Sequence, residues 1–235
     1  MKAYAALRAD ELPDLRVIVV DDGNTDGTAD SVESFDHDWV TLVAHERNSG
    51  LAQAMRTGFA SALEYAADDD WIVTLDADNT HIPEQIPTLL EHVASGHDVI
   101  IGSRFQPGAQ MRGIPWFRRL FSWGVSVLFR TFTPIARVRD FSCGIRAYKV
   151  RTLRKVTESW QEQFITEDGF ACMTEILYKV ASLPGATFFE IPMVLRYDFK
   201  AGAIKNSAGQ EYPRYVSLDV EASPARCRPA NTHLE

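Results

Sequence analysis

Long apolar runs are missing from this chain of 235 residues. None reaches the roughly 18 residues that a membrane-crossing helix needs. The nearest, Leu120 to Phe129, is short and is flanked by Arg118, Arg119 and Arg130. Met1 to Asp10 carries charges and no apolar core, so no secretory leader is expected. Cysteine is scarce too. Cys143, Cys172 and Cys227 are too scattered for a zinc cluster or a disulfide framework, which points to a reducing, cytoplasmic setting. Positive charge is in deficit: at a formal net charge of -8 the chain is no general nucleic-acid binder, because displacing counterions from phosphates takes a positive field. Any anionic ligand has to be met by a local cluster of cations. With 46% hydrophobic residues, there is still enough apolar surface for one sizeable core.

From residue 15 to about 102 strand-like and helix-like segments alternate. Arg16 to Val20, Trp39 to Val43, Trp71 to Leu75 and Asp98 to Ile101 are β-branched or aromatic apolar runs that predict strands. Thr28 to Phe35, Leu51 to Ala66 and Pro83 to Val93 predict helices, the second with Leu51, Met55, Phe59, Ala62 and Leu63 on one face. The alternation predicts an α/β fold with a mainly parallel sheet covered by helices on both faces. Ligands of such sheets bind beyond the carboxyl ends of the strands. Two acidic segments fall at that edge, Asp21-Asp22-Gly23 and Asp76-Ala77-Asp78. Two carboxylates one residue apart at a strand end can grip a hard divalent cation, Mg²⁺ or Mn²⁺, and share it with substrate phosphates.

Each acidic segment also has a plainer reading. Asp76 and Asp78 can cap a helix or end a strand. From Asp22 the sequence Asp-Gly-Asn-Thr-Asp-Gly, with Glu33 at the twelfth position, fits a calcium-loop pattern. A calcium hand, however, is entered from a helix, and here the preceding segment reads as a strand. Asp68-Asp69-Asp70 reads as a solvated connection.

Residues 112 to 151 differ in character, holding nine Arg or Lys and a single acid, Asp140. Within them, 112 to 136 reads as a basic amphipathic helix region with Phe117, Phe121, Trp123 and Phe129, of the kind that lies in a membrane interface or else turns one face to a core. Gly169 to Ala181 predicts another helix and Thr187 to Ile191 another strand. Residues 207–235 are polar and aperiodic and predict an irregular tail.

Six segments occur in order: Val19 to Thr28, Asn48-Ser49-Gly50-Leu51-Ala52, Leu75-Asp76-Ala77-Asp78, Ile101-Gly102-Ser103-Arg104-Phe105, Asp140 to Tyr148, and Ile191 to Asp198. Together they resemble the family 2 glycosyltransferases, in the dolichol-phosphate mannose synthase and polyprenyl-phosphate sugar transferase branch. The resemblance covers about residues 15 to 206 and makes residues 1–206 the catalytic domain. It implies a nucleotide-sugar transferase type A (Rossmann-like) fold and an inverting, metal-assisted transfer of a hexose. The donor would be GDP-mannose or a UDP-sugar, and the acceptor a polyprenyl or dolichyl phosphate at the cytoplasmic face of a membrane. Val20 and Asp22 would contact the nucleoside; Asp76, Ala77 and Asp78 the diphosphate and its metal; Arg104 the sugar-phosphate. Arg118 and Ser122, one helical turn apart, would receive the lipid phosphate together with Arg196. Lys205 would close over the diphosphate. Asp140 would orient the acceptor or act as base, or pair with a neighbouring arginine.

The chain departs from the family pattern in four places. The family's first strand, which packs on the nucleobase, would precede the helix at Lys2 to Leu7 and has no counterpart, which is expected to leave a sheet edge or slot open and to strip part of the base pocket. Thr80 replaces a glutamine that joins the metal, Ile204 replaces a serine before Lys205, and Phe199 replaces an arginine. A truncated, catalytically weak relative that binds nucleotide or a membrane partner without turnover is therefore the competing expectation.

Overall fold

The computed structural model describes residues 1–78, 80–113 and 135–196, with Gly124, Ser126, Val127 and Thr131 between them. Three of the apolar runs, at Val17–Asp21, Trp71–Thr74 and Val99–Ser103, become strands buried from end to end, as strands covered on both faces must be, whereas Val40–Ala44 is only partly buried. β1 (Val17–Asp21) and β2 (Val40–Ala44) pair in parallel, from Val17 opposite Val40 to Asp21 opposite Ala44. A second sheet has the order β3-β6-β4-β7, formed by β3 (Trp71–Thr74), β4 (Val99–Ser103), β6 (Arg146–Lys149) and β7 (Phe188–Pro192). β4 and β7 are parallel, whereas β6 runs antiparallel to both β3 and β4. A small parallel pair, β5 (Gln110–Arg112) with β8 (Val194–Arg196), lies apart from it.

Six helices accompany the strands among the described residues: α1 (Lys2–Asp10), α2 (Thr28–Glu33), α3 (Leu51–Tyr65), α4 (Gln85–Leu90), α5 (Val150–Trp160) and α6 (Ala171–Ala181). The apolar stripe of α3 buries Leu51, Met55, Phe59 and Ala62. Phe59 meets Tyr148 of β6 edge-on, with ring centroids 5.5 Å apart. The helix predicted over Pro83 to Val93 is shorter, ending at Leu90 and followed by a 3₁₀ turn that closes at Gly96 in the left-handed region. β6 has no apolar run to announce it. It is a strand because it is hydrogen-bonded on both edges, and its Arg146 is fully buried, donating to the Met173 and Phe141 carbonyls at 2.6 and 2.7 Å. The acidic connection Asp68 to Asp70 is held by α5, with Asp68 meeting Arg154 at 3.2 Å and Asp69 meeting Arg151 at 2.9 Å.

α3 packs on β1 and delivers the chain into β3, yet these two strands do not pair. The bonds Trp39 C=O to Val17 N–H and Asp21 C=O to His45 N–H fix Val17, Val19 and Asp21 as the residues facing β2. Ile18 and Val20 therefore turn their N–H and C=O groups to the other edge. By the same alternation Trp71 and Val73 turn theirs away from β6. These groups make no backbone hydrogen bond to another described residue, although all four residues are buried. Buried backbone groups are almost always paired, so these two edges are exceptions among the described residues.

At the opposite end of the sheet, Asp98 accepts from Thr152 Oγ1 at 2.7 Å and from Thr187 N–H and Oγ1, both at 2.9 Å. Burial acts to raise its pKa, but the bonds from Thr152 and Thr187, with Lys149 nearby, outweigh that and hold it below the ordinary aspartate value. A carboxylate depressed in the folded state stabilises the fold above its unfolded pKa, and that contribution is lost as pH falls through the lower folded value. Asp98→Asn is accordingly expected to reduce stability at neutral pH and to flatten its decline on acidification, measured by urea unfolding from pH 7 to pH 3.

Candidate functional site

Both acidic segments lie at the carboxyl ends of their strands, and each is built into its surroundings. Asp21 holds the loop that follows it, accepting from Asn24 N–H at 3.0 Å and from Asn24 Nδ2 at 2.6 Å. Asp22 is buried. One of its oxygens accepts from Ser49 N–H at 2.9 Å and pairs with His45 Nδ1 at 2.7 Å; the other accepts from Gly50 N–H at 2.7 Å. His45 Nε2 in turn meets Thr57 Oγ1 at 2.9 Å. Asp22 thus ties the end of β1 to the start of α3. Gly23 makes the approach possible: its φ is 72°, and a Cβ there would stand 2.4 Å from the Arg47 carbonyl carbon. Val20, predicted to contact the nucleoside, has a fully buried side chain, and its backbone groups lie on the edge of β1 turned away from β2.

The calcium reading finds no support in this geometry. Its loop is entered from β1, Asp26 caps Thr28 at 3.0 Å, and Glu33 is exposed in α2. Among the described residues no three His, Cys, Asp or Glu side chains converge as a metal site.

The turn after β3 holds Asp76, Ala77 and Asp78 at the surface of the site, with Ala77 exposed and both carboxylates partly so. Asp76 N–H donates to His81 Nδ1 at 3.2 Å. Asp78 accepts from Thr80 N–H at 3.0 Å and from Thr80 Oγ1 at 2.5 Å. β8 closes against this turn: Arg196 N–H donates to Thr80 C=O at 2.9 Å, and His81 bridges Leu195. Gln85 brackets Val194 with bonds of 2.8 and 2.6 Å. From the other side Thr74 Oγ1 draws the Gly144 carbonyl to 2.8 Å, and a Cβ on Gly144 would stand only 2.6 Å from Asp76 Oδ1. The glycine is the space that the Asp76 carboxylate occupies. Two oxygen donors one residue apart fit a hard cation that takes its remaining ligands from phosphate and water.

Arg104, just past β4, pairs with Asp140. The Asp140 Oδ2 accepts from Arg104 N–H at 2.9 Å and Nε–H at 2.8 Å, and Oδ1 accepts from the terminal guanidinium nitrogen at 2.6 Å. That nitrogen also reaches Ser142 Oγ at 2.7 Å. Asp140 is 0% exposed, so its oxygens are committed to Arg104. Cys143, next in the loop, is buried, and desolvation pushes its thiol up to about 12; Cys172 is likewise raised to about 12, so neither presents a thiolate near neutrality.

The structure brings Asp76, Ala77, Asp78 and Arg196 together and pairs Arg104 with Asp140. Arg118, Ser122 and Lys205 lie outside the described residues, as do most of 112–136 and all of 207–235. Sequence reasoning missed His45, His81, Gly144 and Glu190. Only Gly144 carried a local signal, its place within the Asp140 to Tyr148 segment.

An acidic turn and an anchored arginine lie at the carboxyl edge of the α/β sheet, and the chain belongs to glycosyl transferase family 2, whose pattern matches residues 2–175. It is a glycosyltransferase. It is 33% identical over 202 residues to an undecaprenyl-phosphate mannosyltransferase of Micrococcus luteus, covering 85% of this chain and 79% of that protein. It is 30% identical to a polyprenol monophosphomannose synthase of Mycolicibacterium smegmatis, covering 77% of this chain and 66% of the other. With a dolichol-phosphate mannosyltransferase of Pyrococcus furiosus it shares 31% identity over 69% of this chain and 44% of that one. Among solved structures, glucosyl-3-phosphoglycerate synthase from Mycobacterium tuberculosis in complex with phosphoglyceric acid superposes with a TM-score of 0.52 at 16% identity, over 76% of this chain and 59% of that one. That likeness establishes the nucleotide-sugar transferase type A fold.

Proposed function

We propose that this glycosyltransferase moves a mannosyl group, with inversion, from a nucleoside-diphosphate sugar to a polyprenyl-type lipid phosphate. The observation that carries the reading is the Asp76–Asp78 turn at the end of β3 together with the Asp140-anchored Arg104 just past the end of β4, in a chain whose relatives are named as polyprenyl- and dolichol-phosphate mannosyltransferases. As the glycosidic bond breaks, the departing diphosphate gains negative charge. Bound Mg²⁺ or Mn²⁺ would supply Lewis-acid stabilisation of that charge. Asp76 and Asp78 would hold the ion, and the Arg104 guanidinium, kept in place by Asp140, would add a fixed positive charge.

The acceptor needs little activation, because a phosphate monoester has its second ionisation near pH 6. Proton abstraction is thus no requirement, and Asp140 serves better as the holder of Arg104 than as a base. Arg118, Ser122 and Arg196 are proposed for the lipid phosphate, Lys205 for the diphosphate, and the basic 112–136 region for the cytoplasmic membrane surface. No helix among the described residues is long and apolar enough to cross a membrane.

A second reading, nucleotide binding without turnover, is favoured by the edges of β1 and β3 that have no backbone partner among the described residues, β1 ending beside the proposed nucleoside contacts. Calorimetry with GDP and with UDP, each with and without Mn²⁺, separates the two when combined with a transfer assay. The transferase reading expects metal-dependent binding of one nucleotide and mannosyl transfer to a prenyl phosphate. Failure of both nucleotides to bind would overturn it.

A further inference from the structure

Glu190 lies in β7 among apolar neighbours and is 6% exposed, yet no cation of the described residues lies within ion-pair distance of it. A buried carboxylate is costly unless its oxygens are hydrogen-bonded. Here they are: Oε1 accepts from Arg139 N–H at 2.6 Å and from Asp140 N–H at 2.7 Å, while Oε2 accepts from Gln106 Nε2 at 3.1 Å. The first two donors belong to the segment that carries Asp140. The third belongs to the segment that carries Arg104.

The sheet explains why one side chain reaches both. β4 and β7 pair with Ile101 opposite Glu190, and β4 runs on directly into Arg104. A closed ring results, running from β4 through Arg104, the Asp140 carboxylate, the Asp140 backbone and Glu190 to β7, and back to β4 across the sheet. Each link is a hydrogen bond or the backbone, so Arg104 cannot swing without breaking one of them. We propose that Glu190 is a positioning residue: its carboxylate sets the direction of the Arg104 guanidinium towards the donor diphosphate. The inference rests on the transferase reading for its consequence in catalysis, but not for the geometry it asserts.

Two measurements keep those parts separate. In ¹⁵N-arginine NMR of the full chain, with the Arg104 Nε–H resonance assigned by Arg104→Lys, that proton is expected to be protected from exchange in the wild type. It should stay protected in Glu190→Gln, whose amide oxygen still accepts both N–H groups and whose NH₂ meets a turned Gln106. It should lose protection in Glu190→Leu, or in Glu190→Asp if the leucine variant does not fold. In the transfer assay Glu190→Leu should lower kcat about 100-fold with KM for the donor little changed, the order of effect that a small misplacement of a catalytic group produces. Glu190→Gln should retain most of the activity. In an Arg104→Lys background, Glu190→Leu should add little, because both changes remove the same interaction. An Arg104 Nε–H that remains protected in the leucine or aspartate variant overturns the positioning role. A wild type with no transfer to prenyl phosphate, but with the exchange pattern intact, instead overturns the transferase reading alone.

Discussion

Asp76→Asn and Asp78→Asn are each expected to lower sugar transfer by about a thousandfold while leaving the fold intact, since losing one ligand charge forfeits several kcal/mol of stabilisation at the leaving diphosphate. The asparagine keeps the shape of the turn and, at position 78, an oxygen for Thr80 N–H to meet. A loss of activity would therefore report charge and not collapse. Gly144→Ala provides the matching test from the other side. It adds a single methyl group, 2.6 Å from Asp76 Oδ1, and so must displace that carboxylate without removing it. Mn²⁺ titration in the presence of the nucleotide should show weaker binding in all three variants, with unchanged circular dichroism. Binding as tight as in the wild type would remove this turn from the metal site.

Asp22→Ala is expected to act on stability first. It strips the acceptor from the Ser49 and Gly50 N–H groups and from His45 in one step, at a site that is 2% exposed. Leaving such donors unsatisfied costs about 1–3 kcal/mol each. Even one or two of them should lower the melting temperature by roughly 5–10 °C for a domain of this size. Asp22→Asn, which keeps one acceptor oxygen, should fall between. Thermal melts followed by circular dichroism, set beside nucleotide calorimetry, distinguish the two roles this residue can have. A variant that melts like the wild type but no longer binds nucleotide would mean that Asp22 works as a nucleoside contact and not as the tie between β1 and α3.

How much of this was legible beforehand follows from the range of the interactions involved. β1, β3 and β4 announced themselves because a strand buried on both faces needs an unbroken β-branched run, which is a local property. α3 was legible because its stripe of Leu51, Met55, Phe59 and Ala62 repeats at helical spacing. β6 and β8 were not, since Arg146 to Lys149 and Val194 to Arg196 become strands only through neighbours far away in the chain. The acidic turn could be placed at a strand end from sequence. That Gly144 makes room for it, and that Thr80 and Arg196 lock together beside it, could not.

By itself, then, the sequence determined the α/β class and the family, and it singled out the carboxylates and arginine proposed to carry the chemistry, because these follow from residue type and short spacing. Only the tertiary structure decided how those groups are held. It paired the buried Asp140 with Arg104, made Asp22 the tie between β1 and α3, and set Glu190 of a distant strand against the Arg139 and Asp140 N–H groups. It also left one edge of β1 and one edge of β3 without a backbone partner among the described residues. The physical reason is the same in each case. A hydrogen bond between residues dozens of positions apart leaves no pattern in the sequence, and it exists only once the sheet has brought its two ends together.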